Sequence, residues 1–338
     1  MASAEPNSGA AAGLLPAADT LIAMYKKMFL IKHCDEQMRA TLRAGKIAAP
    51  YYSPRGQEVI SSAIAVNLRQ GDYVITIYRG LHDHLATGVP PRELWAEYAG
   101  RVTGSCKGKG GPMHITHPAS GVVVTTGIVG SGMPIANGLA WASLIDKTGQ
   151  VTITNFGDGA ANIGAFHESL NLASLWKLPV VFVCQNNEYA EHTRFDGGTA
   201  IDSIAKRAAA YTMPGVRVNG NDPGEMWRAA AVAIERARSG EGPTLIEAMT
   251  YRFHGHNFGD PAEYIPKEEL ADRMAKDPVP ALRVSLLRAG HATEADLVAI
   301  EKEVTDTIAD AVEFALASPW PDPKVEMGRD VYAMEIQP

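Results

Sequence analysis

The sequence predicts an α/β fold in which helices sandwich a mainly parallel sheet, followed by a C-terminal helical extension. Strand-like and helix-like segments alternate up to residue 265, and this alternation is typical of parallel sheets covered on both faces. The clearest unit is a strand over 151–156, a helix, and a strand over 178–184, a spacing that favours a right-handed crossover. The pattern then becomes helical throughout. The chain is therefore divided into a tail over 1–18, an α/β domain over 19–265 and an extension over 266–338.

Helices are predicted where apolar residues recur at three- and four-residue spacing between residues that start or stop helices. Gly45 follows the first and longest of these segments. Thr293 and Asp296 have the spacing of a capping box and precede an apolar stripe that includes Leu297 and Ile308. The predicted helices span about 19–44, 57–69, 91–100, 134–147, 163–173 and 223–238, with further helices after 265.

Strands are predicted where β-branched and aromatic residues cluster in short runs. Between the first two strands lies a glycine-rich stretch, 102–132, which includes Gly108-Lys-Gly-Gly111. We expect this stretch to be a long loop, and long loops in compact domains are usually functional. The predicted strands span 73–78, 151–156, 178–184 and 245–251.

The composition excludes several classes of protein. The chain has 338 residues, a net charge of -7 and 46% hydrophobic residues, which is typical of a globular protein and argues against a nucleic-acid binder. The three cysteines are far apart in the sequence, so neither a zinc site nor a disulfide framework is expected. No stretch approaches the roughly 20 apolar residues of a membrane helix. The first 16 residues lack the basic residues of a secretory or transit signal, so we expect a cytoplasmic protein.

Polar or glycine-rich segments follow four of the predicted strands. Ligands of open α/β sheets bind beyond the carboxyl ends of the strands. Segments that are far apart in the sequence are therefore expected to meet in one pocket. The four segments are Tyr78-Arg79, Gly157-Asp-Gly159, Gln185-Asn-Asn187 and His254-Gly-His256.

The residue types in these segments favour a phosphate group and a hard metal ion. Asp158 and Asn187 offer oxygen ligands, which suit Mg²⁺ or Ca²⁺, and Mg²⁺ usually completes its shell with waters and substrate phosphates. Arg79 and the histidines supply donors for phosphate oxygens, and the N-terminus of the helix after the 157–159 turn favours an anion. The residues therefore predict a diphosphate bridged to the protein by one metal ion, and they leave open which diphosphate it is.

A resemblance to a known family identifies this diphosphate. Gly157-Asp-Gly159, followed after 26 residues by Asn186-Asn187, resembles the thiamine-diphosphate motif. The surrounding segments resemble the alpha subunits of pyruvate, branched-chain 2-oxo acid and acetoin dehydrogenases, in order from about Tyr25 to Pro319. The fold implied is the thiamine-diphosphate-binding fold, in its diphosphate-type domain. The matching segments are Tyr78-Arg79, Gly108-Lys-Gly-Gly111 with Met113-His114, Gly127-Ile-Val-Gly130, Gly157-Asp-Gly-Ala-Ala-Asn162, Leu175-Trp-Lys-Leu-Pro179 and Tyr251-Arg-Phe-His-Gly-His256.

The resemblance implies a role for each matching position. The ligands of Mg²⁺ would be Asp158, Asn187 and the backbone carbonyl of Tyr189. The catalytic residue would be His256, close to the reacting thiazolium. The diphosphate would be bound by Tyr78, Arg79, Gly159, Ala160 and His256. The aminopyrimidine would be bound by the main chain of Gly127 and Val129.

The resemblance also implies an activity and partners. The main prediction is the alpha subunit of a pyruvate dehydrogenase-type oxidoreductase, which decarboxylates a 2-oxo acid and reductively acylates lipoamide, a disulfide acceptor. Thiamine diphosphate would supply the electron sink. A separate beta subunit would supply the glutamate that activates the cofactor, because this chain leaves no room for a second sheet domain. The implied assembly is an α₂β₂ heterotetramer that works with a lipoyl acyltransferase.

Alternatives to this function differ in substrate or in activity. The first is an acetoin dehydrogenase alpha subunit, and the stretch Asn187-Glu-Tyr-Ala-Glu191 is closer to that type. A non-catalytic scaffold subunit of the same fold is the second. The third, a nicotinamide-dependent dehydrogenase, is ranked low because the chain has no G-x-G-x-x-G turn.

The sequence departs from the family pattern at two positions. Leu81 stands where many relatives have a histidine, and His82 or His84 is the available substitute, although both are expected at the surface. Asn257 stands where the mammalian pyruvate enzyme has a regulatory serine, so kinase control at that position is not expected.

Overall fold

A six-stranded sheet runs through the centre of the molecule in the computed structural model, which describes residues 14–330. Every neighbouring pair of strands is parallel, as the alternating sequence pattern predicts. From one edge to the other the strands are β2 (Val122–Thr126), β1 (Tyr73–Ile77), β3 (Thr152–Gly157), β4 (Val180–Asn186), β8 (Thr244–Met249) and β7 (Gly215–Asn219). A short antiparallel hairpin, β5 (Tyr189–Ala190) and β6 (Thr193–Arg194), follows β4.

Helices cover both faces of this sheet and continue into the C-terminal region. The main helices begin close to the predicted positions, although the second one ends at Ala65, four residues earlier than predicted. In chain order the helices are α1 (Ala18–Arg43), α2 (Glu58–Ala65), α3 (Leu81–Thr87), α4 (Pro91–Tyr98), α5 (Gly132–Asp146), α6 (Gly164–Trp176), α7 (Phe195–Gly198), α8 (Pro223–Arg238), α9 (Lys267–Ala275), α10 (Pro278–Arg288), α11 (Glu294–Ala317) and α12 (Pro323–Glu326).

Alternate side chains of the strands enter two different apolar cores. Ile153 and Ile246 point to the face covered by α1, α2 and α8. Phe156 and Phe182 point to the opposite face, where α5 and α6 pack. Because side chains alternate across a strand, a sheet that is buried on both faces needs nearly continuous apolar strands. The residues of β4 are all buried accordingly.

Several elements of the fold were not predicted from the sequence, among them the hairpin β5–β6 and the short helix α7. The glycine-rich stretch 102–132 is not all loop, because Val122–Thr126 forms an edge strand of the sheet. Its β-branched residues have strand propensity, but the glycines on both sides obscured it. The short helix α3 and the edge strand β7 were also missed. Both are too short to show a clear period, and most of β7 is exposed.

The C-terminal helices pack against the α/β domain. The predicted capping box at Thr293 and Asp296 is present at the start of α11. Leu297 of the apolar stripe is buried in the core below α1, and Ile308 is buried in a second core with α1 and α4. The division of the chain into three parts stays a prediction, and residues 1–13 of the proposed tail lie outside the described residues. Ala18 of that tail already belongs to α1.

Neither a membrane span nor a disulfide is found in residues 14–330. No helix there is both long and apolar enough to cross a bilayer. Cys34 and Cys184 are buried free thiols, and Cys106 is a partly exposed one. The expectation of unpaired cysteines is thus confirmed, and the cytoplasmic location stays a prediction.

A buried carboxylate organises the glycine-rich loop after α4. The two oxygens of Glu97 accept four backbone N–H groups, from Cys106 and Gly108 on one oxygen and from Gly110 and Gly111 on the other, at 2.8–2.9 Å. Glu97 is fully buried, so these bonds replace water around its charge. The loop amides are therefore already occupied, and Gly108-Lys-Gly-Gly111 does not offer them to a phosphate group.

We predict that Glu97→Gln loosens this loop. A glutamine keeps one acceptor oxygen and puts an NH₂ group against two of the amides, so buried donors lose their partners. The expected loss is roughly 2–4 kcal/mol in the free energy of unfolding, measured by urea denaturation. Amide hydrogen exchange at 106–111 should accelerate in the same variant. Glu93→Gln, on the exposed side of the same helix, is the matched control, and equal effects of the two substitutions would contradict the assignment.

Candidate cofactor site

The sheet topology creates a crevice between β1 and β3. The chain leaves β1 towards one edge of the sheet, to β2, and leaves β3 towards the other, to β4. Connections that diverge in this way leave open space beyond the carboxyl ends of the strands, where ligands bind. Arg79 lies just after β1, Asp158 just after β3 and Asn187 just after β4. Three of the four predicted segments are therefore adjacent at one end of the sheet.

The fourth segment reaches the crevice through a loop. The strand β8 ends at Met249, so His254 and His256 are not at a strand end as predicted. A backbone hydrogen bond from Phe253 to Arg55 fixes the path of the loop. His256 arrives beside Tyr78, and the centroids of the two rings are 6.0 Å apart. His254, in contrast, accepts a hydrogen bond from Arg39 of α1 at 2.6 Å.

Asp158 and Asn187 lie together. The Asp158 carboxylate is only 2% exposed. Burial raises the pKa of Asp158 to about 6, and its own backbone, Arg252, the backbone of Asn187 and Arg79 partly oppose that shift. The Asn187 amide donates to Gln57 at 3.2 Å, and its oxygen accepts the N–H of Tyr189 at 3.3 Å.

The hairpin after β4 closes one side of the site. Glu188 and Glu191, which flank β5, both adopt positive φ values, so the chain turns sharply there. Gly159 packs against this hairpin, since a Cβ atom on it would lie 2.7 Å from the Cβ of Ala190. Only a glycine permits this approach. Tyr189 is buried and contacts the rings of Tyr251 and Tyr264.

Arg79 connects the end of β1 to the His256 loop. Its guanidinium donates to the carbonyl oxygens of Ser53 and His256, each at 2.9 Å. Burial and the neighbouring charge of Arg252 lower the pKa of Arg79 to about 10, so it stays charged at neutral pH. Tyr78 is half-buried, with its ring edge-on to that of Tyr52 at 4.5 Å. The structure therefore brings Tyr78, Arg79 and His256 together.

Arg252 is a site residue that the sequence analysis did not assign. It is 1% exposed, and one nitrogen donates to the carbonyl of Glu191 and to the Tyr264 hydroxyl. Its Nε and Nη1 atoms have no hydrogen-bond partner within residues 14–330. A buried cation with unused donors is costly unless an anion approaches it. The signal in the sequence was its position in the Tyr251-Arg-Phe-His-Gly-His256 segment.

His256 is held as a neutral imidazole. Burial, then the charges of Arg79 and Arg252, lower its pKa to about 4. Its backbone N–H donates to Asp260 at 2.5 Å, and its Nδ1 atom has no partner in the described part of the chain. The His192 ring lies 6.4 Å from it, on the hairpin. His256 can therefore exchange hydrogen bonds with a ligand without carrying a charge at neutral pH.

The loop that carries Gly127 and Val129 lies beside the turn of β3. Gly130 has a positive φ, and a Cβ atom on it would clash with Ile163 at 1.9 Å, so the loop is packed on the segment that follows Ala160. Ala160 is buried, whereas Val129 is about half exposed. This loop is thus packed on the segment after β3 while Ile128 and Val129 face outward.

His82 and His84 are buried, so their predicted surface location was wrong. The short helix α3 places them inside the molecule, where His82 Nε2 bonds the side-chain oxygen of Gln185 at 2.7 Å and His84 Nε2 bonds the Thr125 hydroxyl at 2.6 Å. Leu81 lies in an apolar core with Trp95. Burial lowers the pKa of His84 to about 3, so it is a neutral structural residue.

Residues 14–330 contain no cluster of three or more histidine, cysteine or acidic side chains that could hold a metal ion. The oxygens of Asp158 and Asn187 together with one backbone carbonyl are a smaller set. Such a set suits a metal that takes its other ligands from water and phosphate.

Comparisons with known proteins agree with this geometry. The family model for the dehydrogenase E1 component matches residues 26–324. The alpha subunit of acetoin:2,6-dichlorophenolindophenol oxidoreductase of Bacillus subtilis (strain 168) is 41% identical over 95% of this chain and 96% of its own length. The pyruvate dehydrogenase E1 component subunit alpha of Rhizobium meliloti (strain 1021) is 39% identical over 88% of this chain and 86% of its own length.

A plant relative extends the comparison. The chloroplastic pyruvate dehydrogenase E1 component subunit alpha-3 of Oryza sativa subsp. japonica is 38% identical over 92% of this chain and 75% of its own length. Similarity of this extent covers the crevice, the hairpin and the C-terminal helices alike. The chain therefore belongs to the dehydrogenase E1 component family, as an alpha subunit of an oxidoreductase.

Proposed function

We propose that this chain binds thiamine diphosphate through one Mg²⁺ ion and forms the cofactor half of a 2-oxo acid dehydrogenase. Membership of the E1 family implies the cofactor. The observation that carries the proposal is the group formed by the buried carboxylate of Asp158 and the two buried guanidiniums of Arg79 and Arg252. Arg252 has two donor atoms, Nε and Nη1, without a partner within residues 14–330, and a diphosphate with its metal ion would occupy them.

The metal ion fits the oxygen side of this group. Asp158 supplies a carboxylate, Asn187 a side-chain oxygen and Tyr189 a backbone carbonyl. The side-chain oxygen of Asn187 holds only a 3.3 Å bond to Tyr189, so it has a lone pair for a ligand. A Mg²⁺ ion takes few protein ligands and completes its octahedron with phosphate oxygens and water. Its charge would also keep Asp158 ionised despite burial.

The diphosphate fits the cationic side. Arg79 stays charged at neutral pH, and Arg252 has two donor atoms without a partner among the described residues. Charged donors in a buried site hold phosphate oxygens with strong hydrogen bonds. Gly159 and Ala160 contribute the backbone of the turn after β3, where N–H groups can face an anion. The aminopyrimidine end would lie against Gly127 and Val129.

The chemistry divides between the cofactor and the protein. Thiamine diphosphate, when bound, supplies the carbanion and the electron sink for cleavage next to a carbonyl group. His256 is neutral, so we assign it the exchange of a hydrogen bond or a proton with the substrate oxygen. The acyl group would then pass to the lipoamide of a lipoyl acyltransferase.

A beta subunit is needed to complete the site. Ile128, which is 71% exposed, lies between the two proposed aminopyrimidine contacts. Further apolar side chains are exposed on α5 and α6, where the rings of Trp141 and Trp176 are 5.1 Å apart at the surface. A surface of this kind indicates a protein partner. We infer that the beta subunit covers it in an α₂β₂ heterotetramer and supplies the glutamate that activates the cofactor.

The substrate is a 2-oxo acid or acetoin. Pyruvate is the main proposal, on the basis of the pyruvate dehydrogenase relatives. Acetoin is the second candidate, because two acetoin oxidoreductase alpha subunits are each 41% identical to this chain. A panel of both compounds on the chain co-expressed with its beta subunit decides between them. Cofactor binding without turnover of either would favour a scaffold subunit.

We predict that Asp158→Asn abolishes the Mg²⁺ dependence of thiamine diphosphate binding. The substitution removes the only carboxylate among the proposed ligands but keeps the size of the side chain. In calorimetry with Mg²⁺, the variant should bind thiamine diphosphate at least roughly tenfold more weakly than the unchanged chain, a difference of about 1.4 kcal/mol. Without Mg²⁺, its affinity should be the same as with Mg²⁺. The control is Asp202→Asn, an exposed acid that pairs with Lys206. Unchanged, metal-dependent binding in the Asp158 variant would refute the proposed site.

We predict that Ile128→Asp prevents co-purification of the beta subunit. Ile128 is largely exposed in this chain, so the new carboxylate should not affect folding. In the complex, the beta subunit would bury that carboxylate without an opposite charge to pair with it. Size-exclusion chromatography of the co-expressed pair should show the heterotetramer lost. Val298→Asp, an exposed apolar position on α11, should leave it intact. An intact heterotetramer in the Ile128 variant would place the interface elsewhere.

A further inference from the structure

A second cavity lies on the other side of the loop that carries His256. Its volume is about 390 Å³, which is within the range of small-molecule sites. Two arginines from the last turns of α1, Arg39 and Arg43, line it together with Tyr51, His254 and Asp260. His256, Asp158 and Asn187 do not line it, so it is separate from the proposed cofactor site.

The arginines in this cavity are not balanced by ion pairs. Neither Arg39 nor Arg43 forms a salt bridge with a carboxylate within residues 14–330. Arg39 donates instead to the neutral His254 at 2.6 Å. The nearest buried acid, Asp35, receives the Tyr51 hydroxyl at 2.5 Å. Burial raises the pKa of Asp35 to about 6, and the charge of Arg39 partly opposes that shift. The two side chains therefore interact through charge, without a direct hydrogen bond.

The acid on the opposite wall is already satisfied. The Asp260 carboxylate accepts the backbone N–H groups of His256 and Ala262 and the Tyr264 hydroxyl, at 2.5–2.8 Å. Its hydrogen bonds therefore go to the loop and not to the arginines, although its charge remains. The positions of Arg39 and Arg43, four residues apart on one helix, place both guanidiniums on the same face. The cavity thus presents two cations and one hydrogen-bonded carboxylate to a ligand.

We propose that this cavity binds a small dianion, either a phosphate-bearing or a dicarboxylate metabolite. Guanidinium groups present planar pairs of donors that match carboxylate and phosphate oxygens. The cavity has room for a compact ligand with several waters, at about 30 Å³ for each water. The class of ligand follows from the two arginines, and neither the E1 activity nor its cofactor is needed for this binding.

The position of the cavity gives such binding a consequence. His254 faces the cavity and His256 faces the cofactor site, with Gly255 between them. A Cβ atom at Gly255 would lie 2.6 Å from the Asp260 carboxylate, so this part of the loop is tightly packed. A ligand that holds Arg39 and His254 would therefore restrict the segment that positions His256. The dianion would act as a regulator of loop order.

The test is calorimetric titration of the full-length chain with inorganic phosphate and, separately, with succinate. We expect saturable binding of at least one of them, weakened roughly tenfold or more by Arg43→Gln. Arg43 is exposed and makes no hydrogen bond in the described residues, so its replacement should not disturb folding. Arg288→Gln, an exposed arginine in the last turn of α10, is the matched control and should leave binding unchanged.

Hydrogen exchange gives a second, independent measurement. Phosphate or succinate should protect the amides of 254–262 in the wild-type chain and not in the Arg43 variant. Arg79 and Arg252 can also attract phosphate, so binding that survives Arg43→Gln but is lost in Arg79→Gln belongs to the cofactor site and overturns the proposal. The absence of saturable binding to the wild-type chain overturns it as well.

Discussion

Two guanidinium groups buried next to one carboxylate are the interaction on which the rest of the site depends. Burial, and then the neighbouring charge of Arg252, lower the pKa of Arg79 to about 10. Asp158 and Asp260 both act on Arg252, yet two of its donor atoms have no partner within residues 14–330. Buried charged donors of this kind are costly unless a ligand pairs with them. The neutral state of His256 follows from burial first and then from the charges of the same two arginines.

The sheet provides the rigidity that this arrangement needs. Because β1 and β3 are neighbours whose connections leave in opposite directions, Arg79 and Asp158 face one crevice. The register of β4 with β3 then places Asn187 against Asp158. Arg252 arrives by a different route, through a loop that the hairpin and Tyr264 hold. Sites on strand ends keep their geometry better than sites on loops, so Arg79, Asp158 and Asn187 are held by the sheet, whereas the position of His256 depends on the contacts of a loop.

Two carboxylates of this chain, Glu97 and Asp260, each accept the backbone amides of one loop. Those amides are then not free to bind a ligand. Glu97 occupies the amides of the glycine-rich loop, and Asp260 occupies those of the His256 loop. Each carboxylate therefore ties the backbone of its loop to one side chain. The loop that carries Gly127 and Val129 differs, since Ile128 and Val129 are exposed.

The sequence by itself determined the alternation of strands and helices, the capping box at Thr293 and the family, because these depend on local periodicity and on motif spacing. The positions of Arg79, Asp158 and Asn187 at one end of the sheet followed from strand order, and the structure agrees, whereas His256 reaches the same crevice through a loop. Only the tertiary structure decided that His82 and His84 are buried, that 122–126 is a strand, and that Arg252 stands next to Arg79. These outcomes depend on which distant segments pack together, and short-range patterns contain no information about the partner that a buried charge meets.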